Sequence, residues 1–240
     1  MQTINNIASS VFTLRYPLKL LGASLGRVVT IFRLKSGKVV LHSTGPFTQE
    51  DCSLISEIGE IEAIVEATNF HDTFALAAMT QFAGCRYFSP SGFPLENKLK
   101  PEPIEKGIEI WGDELVWELL AGAPRLNEWI CFHPESKTLV VADLLFNCRP
   151  NDFAGKVFFA LAGNRGWPGN CRLFRMCIRD RKDLESSINR VLSWDFERVI
   201  VAHGLPIEED AKLVFTAAMR RAFPWMKLTD TEQYGTGQRR

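Results

Sequence analysis

Residues 128–147 read Glu-Trp-Ile-Cys-Phe-His-Pro-Glu-Ser-Lys-Thr-Leu-Val-Val-Ala-Asp-Leu-Leu-Phe-Asn. Two apolar, β-prone runs, Trp129 to Phe132 and Thr138 to Ala142, flank a polar Pro-Glu-Ser-Lys turn, so the stretch reads as a hairpin. Its second run ends on Asp143, wedged between Ala142 and Leu144. Burying an unpaired carboxylate is costly, so the expected partner of Asp143 is a metal, a cation or a set of backbone N–H groups. With the turn at 134–137, Asp143 falls across from Glu128, and His133 is left at the far end as a partly exposed turn histidine. A second element of the same kind, Arg-Val-Ile-Val-Ala-His-Gly-Leu-Pro at 198–206, places His203 just beyond its own strand.

Outward from these two elements, the chain alternates strands with helices. Arg27 to Leu34 and Lys38 to His42 form strands around a Lys35-Ser36-Gly37 turn. Gln49 to Ile58 has helical spacing, with Thr48 as N-cap and Gly59 as C-cap. Ile61 to Ala67 reads as a buried strand running into Thr68-Asn69-Phe70-His71-Asp72, and Thr73 to Phe82 as a helix closed by Gly84. Cys85 to Phe88 is β-like, and Ser89 to Pro103 is a Pro- and Gly-bearing surface connection. Ile108 to Trp111 and Val116 to Leu120 are expected strands; Phe153 to Ala162, Asp183 to Trp194 and Glu208 to Phe223 are expected helices; Val199 to Ala202 is a strand. Two packed sheets with helices outside satisfy this order.

Twenty-eight Lys and Arg balance 28 Asp and Glu, and no continuous basic face is visible, which argues against nucleic acid as a partner. The six cysteines form no C-x-x-C pair and read as free thiols of a reducing, cytoplasmic setting. The N-terminal lead has no uninterrupted apolar core, so neither a signal peptide, an anchor nor a membrane partner is expected.

Of the four histidines, His42, His71 and His203 directly follow expected strands, where a rigid scaffold can present them to one edge. A catalytic zinc commonly takes three protein ligands and keeps a position open. His71, Asp143 and His203 would supply three, with Asp72, Glu128 or His42 as a fourth or an outer partner; the bland alternative is three polar strand ends bonding loop backbone. Other chemistries have less behind them. The Gly-x-x-Gly-x-x-Gly of 163–169 follows no strand, there is no Gly-x-Ser-x-Gly elbow, and His42 and Ser43 should point to opposite faces. Cys148 reads as packing, and Trp167 as a cavity wall or a cap on the core.

These strings resemble the metallo-β-lactamase-fold superfamily over residues 27–225. Thr-Leu-Val-Val-Ala-Asp-Leu-Leu-Phe looks like that superfamily's strand into its bridging aspartate, and Val-Ile-Val-Ala-His-Gly-Leu-Pro like its last metal histidine. Asn69-Phe70-His71-Asp72 falls where the His-x-His-x-Asp-His signature belongs. The His-Ser after the second strand and the Trp-Asp-Phe before the last are similar to an uncharacterised domain-of-unknown-function branch. The resemblance implies an α+β fold, a four-layer αββα sandwich with the site at one rim, spanning residues 1–228 as a single domain with a polar tail at 229–240. It implies His71, Asp143 and His203 as metal ligands, and sets His42 where an aspartate commonly stands. The set is incomplete: Asn69 replaces the first histidine, Thr73-Phe74 replace the Asp-His pair, and Ala121-Gly122-Ala123-Pro124 holds no histidine. Two expectations follow. One is a one-metal hydrolase, holding zinc, iron or manganese, that acts on an ester, lactone or phosphoester while Asp72 or His42 moves protons. The other is a metal-free, non-catalytic protein that binds a small ligand or a protein partner.

Overall fold

The computed structural model describes residues 3–150, 153–164 and 167–229. In chain order it runs β1 (Asn5–Ala8), β2 (Val11–Tyr16), β3 (Lys19–Leu20), β4 (Ala23–Ser24), β5 (Arg27–Arg33), β6 (Val39–His42), α1 (Gln49–Ile58), β7 (Ile61–Val65), α2 (Ala75–Gln81), β8 (Arg86–Ser89) and α3 (Glu96–Leu99). It continues with β9 (Glu102–Pro103), α4 (Ile104–Trp111), β10 (Val116–Leu119), β11 (Trp129–His133), β12 (Thr138–Val141), α5 (Phe153–Leu161), α6 (Arg172–Cys177), α7 (Arg181–Ser193), β13 (Arg198–Val201) and α8 (Ala211–Ala222). None of the described helices is long and apolar enough to cross a membrane.

The larger sheet has the order β1-β2-β5-β6-β7-β8-β9, and the smaller β10-β11-β12-β13. Side chains on a strand alternate between faces, and here both faces are covered. On β5, Val28 and Phe32 enter the space between the sheets, where they meet Cys131, Val140 and Ile200 from the smaller sheet. Val29 and Ile31 point the other way, onto Ile55 of α1 and Ala75 and Ala78 of α2. On the far side, Leu139 and Val141 of β12 pack under Leu184, Ile188 and Val191 of α7 and Phe215 of α8. The result is helix, sheet, sheet, helix: the expected αββα sandwich. Helix α1 carries its expected cap, with Thr48 and Asp51 bonding each other's backbone N–H reciprocally and Gly59 at the C-cap.

Several local expectations are corrected. Residues 108–111 are not a strand but the last turn of α4. Ile108-Glu109-Ile110-Trp111 alternates over four residues, yet the longer frame Ile104, Gly107, Ile108, Trp111 has helical spacing, and Ile104, Gly107 and Trp111 are buried. Strands β1 to β4 come from a lead that carried no strand expectation, and the 89–103 connection contains α3 and β9. The helix expected from Asp183 starts at Arg181, capped by the Asp180 carboxylate. His133 is buried rather than partly exposed, hydrogen-bonded through Nδ1 to Ser136 Oγ at 2.7 Å, because β11 carries it inward onto Phe32. The 230–240 part of the expected tail lies outside the described residues.

His42 lies on the face of β6 shared with Val40, so it enters the inter-sheet core and stacks on Trp117, centroids 5.8 Å apart and planes 14° from parallel. Burial, assisted by the Arg27 charge, pushes its pKa down to about 4.

Two expectations can be measured. A Cβ on Gly107 would lie 2.6 Å from the Trp111 indole, which is held between Phe88 and Trp117. Gly107→Ala gains about 1 kcal/mol in helix propensity but overpacks by about 1–3 kcal/mol, so its urea midpoint should fall; a rise would mean that Trp111 is loosely held. The second concerns acid. The folded pKa of His42 lies below its unfolded value near 6.5, so the unfolded chain binds more protons between these values. Stability is therefore full above pH 6.5 and is lost as pH falls toward 4. Relative to His42→Phe, the wild type should lose on the order of 3 kcal/mol between pH 7 and pH 4 in urea titrations. Parallel profiles would contradict a neutral, buried His42.

Candidate metal centre

Strands β6 and β7 are parallel, as are β12 and β13, and their carboxyl ends gather at one rim of the sandwich. Ligands of such sheets collect at that end. In the β12–β13 pair Val141 is opposite Val201, so two residues later Asp143 and His203 emerge as neighbours. From the larger sheet, the chain leaving β7 passes Thr68 and delivers His71. One ligand atom from each of His71, Asp143 and His203 lies within 4.8 Å of the others.

The two contacts among them are not hydrogen bonds of good geometry. Asp143 Oδ1 is 3.6 Å from His71 Nε2 and 3.5 Å from His203 Nε2, beyond good hydrogen-bonding range. Both are near the ~3.3 Å edge of a tetrahedron built on ~2.0–2.1 Å ligand bonds. The outer nitrogens are occupied: His203 Nδ1 is 2.7 Å from the Gly26 carbonyl and must donate to it, which leaves Nε2 as a lone pair. His71 Nδ1 is 3.4 Å from Ser43 Oγ. The Nε2 of His71 is buried with no hydrogen-bond partner among the described residues, an atom whose cost a metal would remove. The residues present therefore fit a divalent ion.

Electrostatics point the same way. Burial works against the charged form of Asp143, but the imidazoles of His71 and His203 hold its pKa well below the ordinary carboxylate range. Glu128, fully buried beside it, is pushed well up by burial and by the Asp143 charge. As the hairpin register required, Glu128 lies across from Asp143; its carboxylate accepts from the N–H groups of Ala142 at 2.8 Å and Asp143 at 3.1 Å. Glu128 thus anchors the aspartate's backbone instead of serving as a ligand. His71 is pushed down to about 3 by burial and by the Arg27 guanidinium, so it is the neutral imidazole that a metal needs.

The ligand atoms form the floor of a cavity of about 370 Å³, walled by apolar side chains that include Leu25, Phe146, Phe159 and Phe174. Neither residue expected to move protons is on that wall. His42 is in the inter-sheet core, and Asp72 is half-buried, acting on Arg27 and Tyr87 from a distance. Trp167 stands behind the wall, edge-on to Phe159 at 4.8 Å. Cys148 packs near Leu25 and Phe146, its thiol pushed up to about 12 by burial, so it is no nucleophile. Sequence reasoning missed Arg27, which lines the cavity and donates from Nη1 to Ser43 Oγ at 2.8 Å. It also missed Glu66, which takes the Thr44 hydroxyl and the Tyr87 hydroxyl and is raised to about 7 by burial. Arg27 was legible in principle: β5 pairs antiparallel with β6, Thr30 opposite His42, so the first residue of β5 must lie beside the chain that follows His42.

The sequence matches no family model and no curated protein. The structure is similar to a metallo-beta-lactamase from Pontibacter korlensis, with 15% identity, TM-score 0.59, and coverage of 92% of this chain and 99% of that one. A metallo-beta-lactamase from Erythrobacter litoralis gives 13% identity and TM-score 0.61, covering 90% and 95% of the two chains. One from Pseudomonas aeruginosa, in a mono-zinc form, gives 12% and 0.55, covering 90% and 94%. At this coverage and these TM-scores, the chain has the metallo-β-lactamase fold.

Proposed function

We propose that the chain is a one-metal hydrolase acting on an ester, lactone or phosphoester, its ion held by His71, Asp143 and His203. The observation that carries this reading is the buried, partnerless Nε2 of His71 facing two further ligand atoms. Two imidazoles and one carboxylate suit zinc, iron or manganese. A similar structure in mono-zinc form supports one ion on this fold. When bound, the ion supplies Lewis acidity toward a carbonyl or phosphoryl oxygen. The chain's own residues do the rest. Gly26 fixes the His203 tautomer, Ser43 orients His71, Glu128 locks the backbone of Asp143, and the apolar wall keeps bulk water away from the floor.

Protein purified without a histidine tag should contain stoichiometric zinc, iron or manganese by elemental analysis, after reconstitution if necessary. His71→Ala and His203→Ala should each lose it, while Ser43→Ala, which removes the hydroxyl beside His71 Nδ1 that also takes Arg27 Nη1, should weaken affinity about 10–100-fold without abolishing it. Wild-type protein that binds no metal even after reconstitution would sink the hydrolase reading and favour a metal-free protein whose rim is a hydrogen-bond network.

A further inference from the structure

Arg27 is only 2% exposed, yet no carboxylate lies within 4.0 Å of it among the described residues. Its Nη1 donates to Ser43 Oγ, and its Nε finds no acceptor among the described residues. Glu66, Asp143 and Asp72 act on it only from longer range. The first two have other partners: Glu66 accepts from Thr44 and Tyr87 and, at 3.5 Å, from the same Ser43 hydroxyl that takes Arg27 Nη1, and Asp143 faces the two imidazoles and Thr68. A guanidinium cannot shed its proton, so a buried one without a direct anion is a costly arrangement unless something supplies the anion.

Arg27 lies in the wall of the cavity above the candidate metal centre. Further cations stand near it: Lys19 lines the same cavity, whose floor also carries the Asp143 carboxylate, and Arg149 and Arg15, the latter with Glu208 acting on it, border an adjoining recess that Arg27 also reaches. Away from these cations and from the ligand floor, the wall is largely apolar, with Thr73 and Cys171 among its members. Leu20, Phe70 and Leu173 line the cavity and are also substantially exposed, at 48%, 36% and 54%, so the apolar surface continues out to the mouth. A cavity with a cation at depth and an apolar path to solvent is complementary to an amphiphile with an anionic group and a hydrocarbon chain.

We propose that Arg27 is a specificity-determining residue that receives the carboxylate or phosphate of an anionic amphiphile, whose chain lies along the Leu20–Phe70–Leu173 wall. This names the substrate class of the cavity described above and rests on that hydrolase reading for its catalytic meaning. Its binding content is separable, because it makes no use of a metal.

The test uses the full chain stripped of metal, titrated calorimetrically with sodium decanoate, decyl phosphate and decanol. At least one anion should bind about tenfold or more tighter than decanol, the effect of one good charge-assisted contact. Decanoate and decyl phosphate distinguish a carboxylate from a phosphate source. In Arg27→Gln the preference for the anion should disappear, with decanol binding little changed, and Arg27→Lys should restore most of it; circular dichroism confirms that each variant is folded. Should Arg27→Gln fail to fold, the wild-type comparison of anion with alcohol still decides. Decanol binding as tightly as both anions, no binding of either anion, or a preference that survives in folded Arg27→Gln would each overturn the proposal. A missing metal in the elemental analysis would leave these titrations untouched.

Discussion

The rim of this sandwich is held by main-chain hydrogen bonds that cross from one sheet to the other. Packed sheets ordinarily meet through side chains about 10 Å apart. Here Val28 N–H reaches the Ala202 carbonyl at 2.8 Å, Trp129 N–H reaches Ala67 at 2.8 Å, and Asn69 N–H reaches Leu126 at 2.9 Å. The His203 imidazole adds a fourth link, to Gly26. These bonds draw together four segments, at 26–28, 67–69, 126–129 and 202–203, and they fix how closely His71 approaches Asp143 and His203. Gly204 belongs to the same seam: with φ +114, a Cβ there would lie 2.1 Å from the Asn147 carbonyl carbon, so the chain after His203 closes down where no side chain fits.

Behind the seam sits a dense set of buried ionisable groups, and their arrangement divides the labour of the rim. Two carboxylates are adjacent, and the imidazoles favour charge on Asp143 while burial disfavours it on Glu128. On the other side, Ser43 touches both His71 and Arg27, and Glu66 receives Thr44 and Tyr87 behind it. Each cavity-facing group is thus oriented by a partner that does not itself reach the cavity, the arrangement that keeps a site in register without a flexible loop.

How much of this was legible follows from particular residues. Asp143 and His203 could be found because each ends a run of buried apolar strand residues, where an ionisable side chain has no other reason to stand. His71 was findable by its place after Val65. His42 follows its strand as the ligands do, but position in the chain does not say which face is the core: alternation along β6 sends it inward with Val40 while Ser43, at φ +74, turns toward the rim. Arg27 went unread since its meaning depends on a pairing register that only the hairpin as a whole reveals. The first four strands gave no clean alternation: β2 has both faces covered, β1 runs from exposed to half-buried, and β3 and β4 are two residues each. Cavity shape, assembled from six or more segments, has no local signature at all.

The in-step pairing of β12 with β13 carries a consequence for how the fold can be altered. Asp143 and His203 advance together from the Val141–Val201 rung, like adjacent teeth on one comb. Sliding the whole smaller sheet would carry both along, but sliding either strand by one residue would turn its tooth to the opposite face. An insertion or deletion inside either strand is therefore ruinous at the rim even where the hydrophobic layers could repack around it.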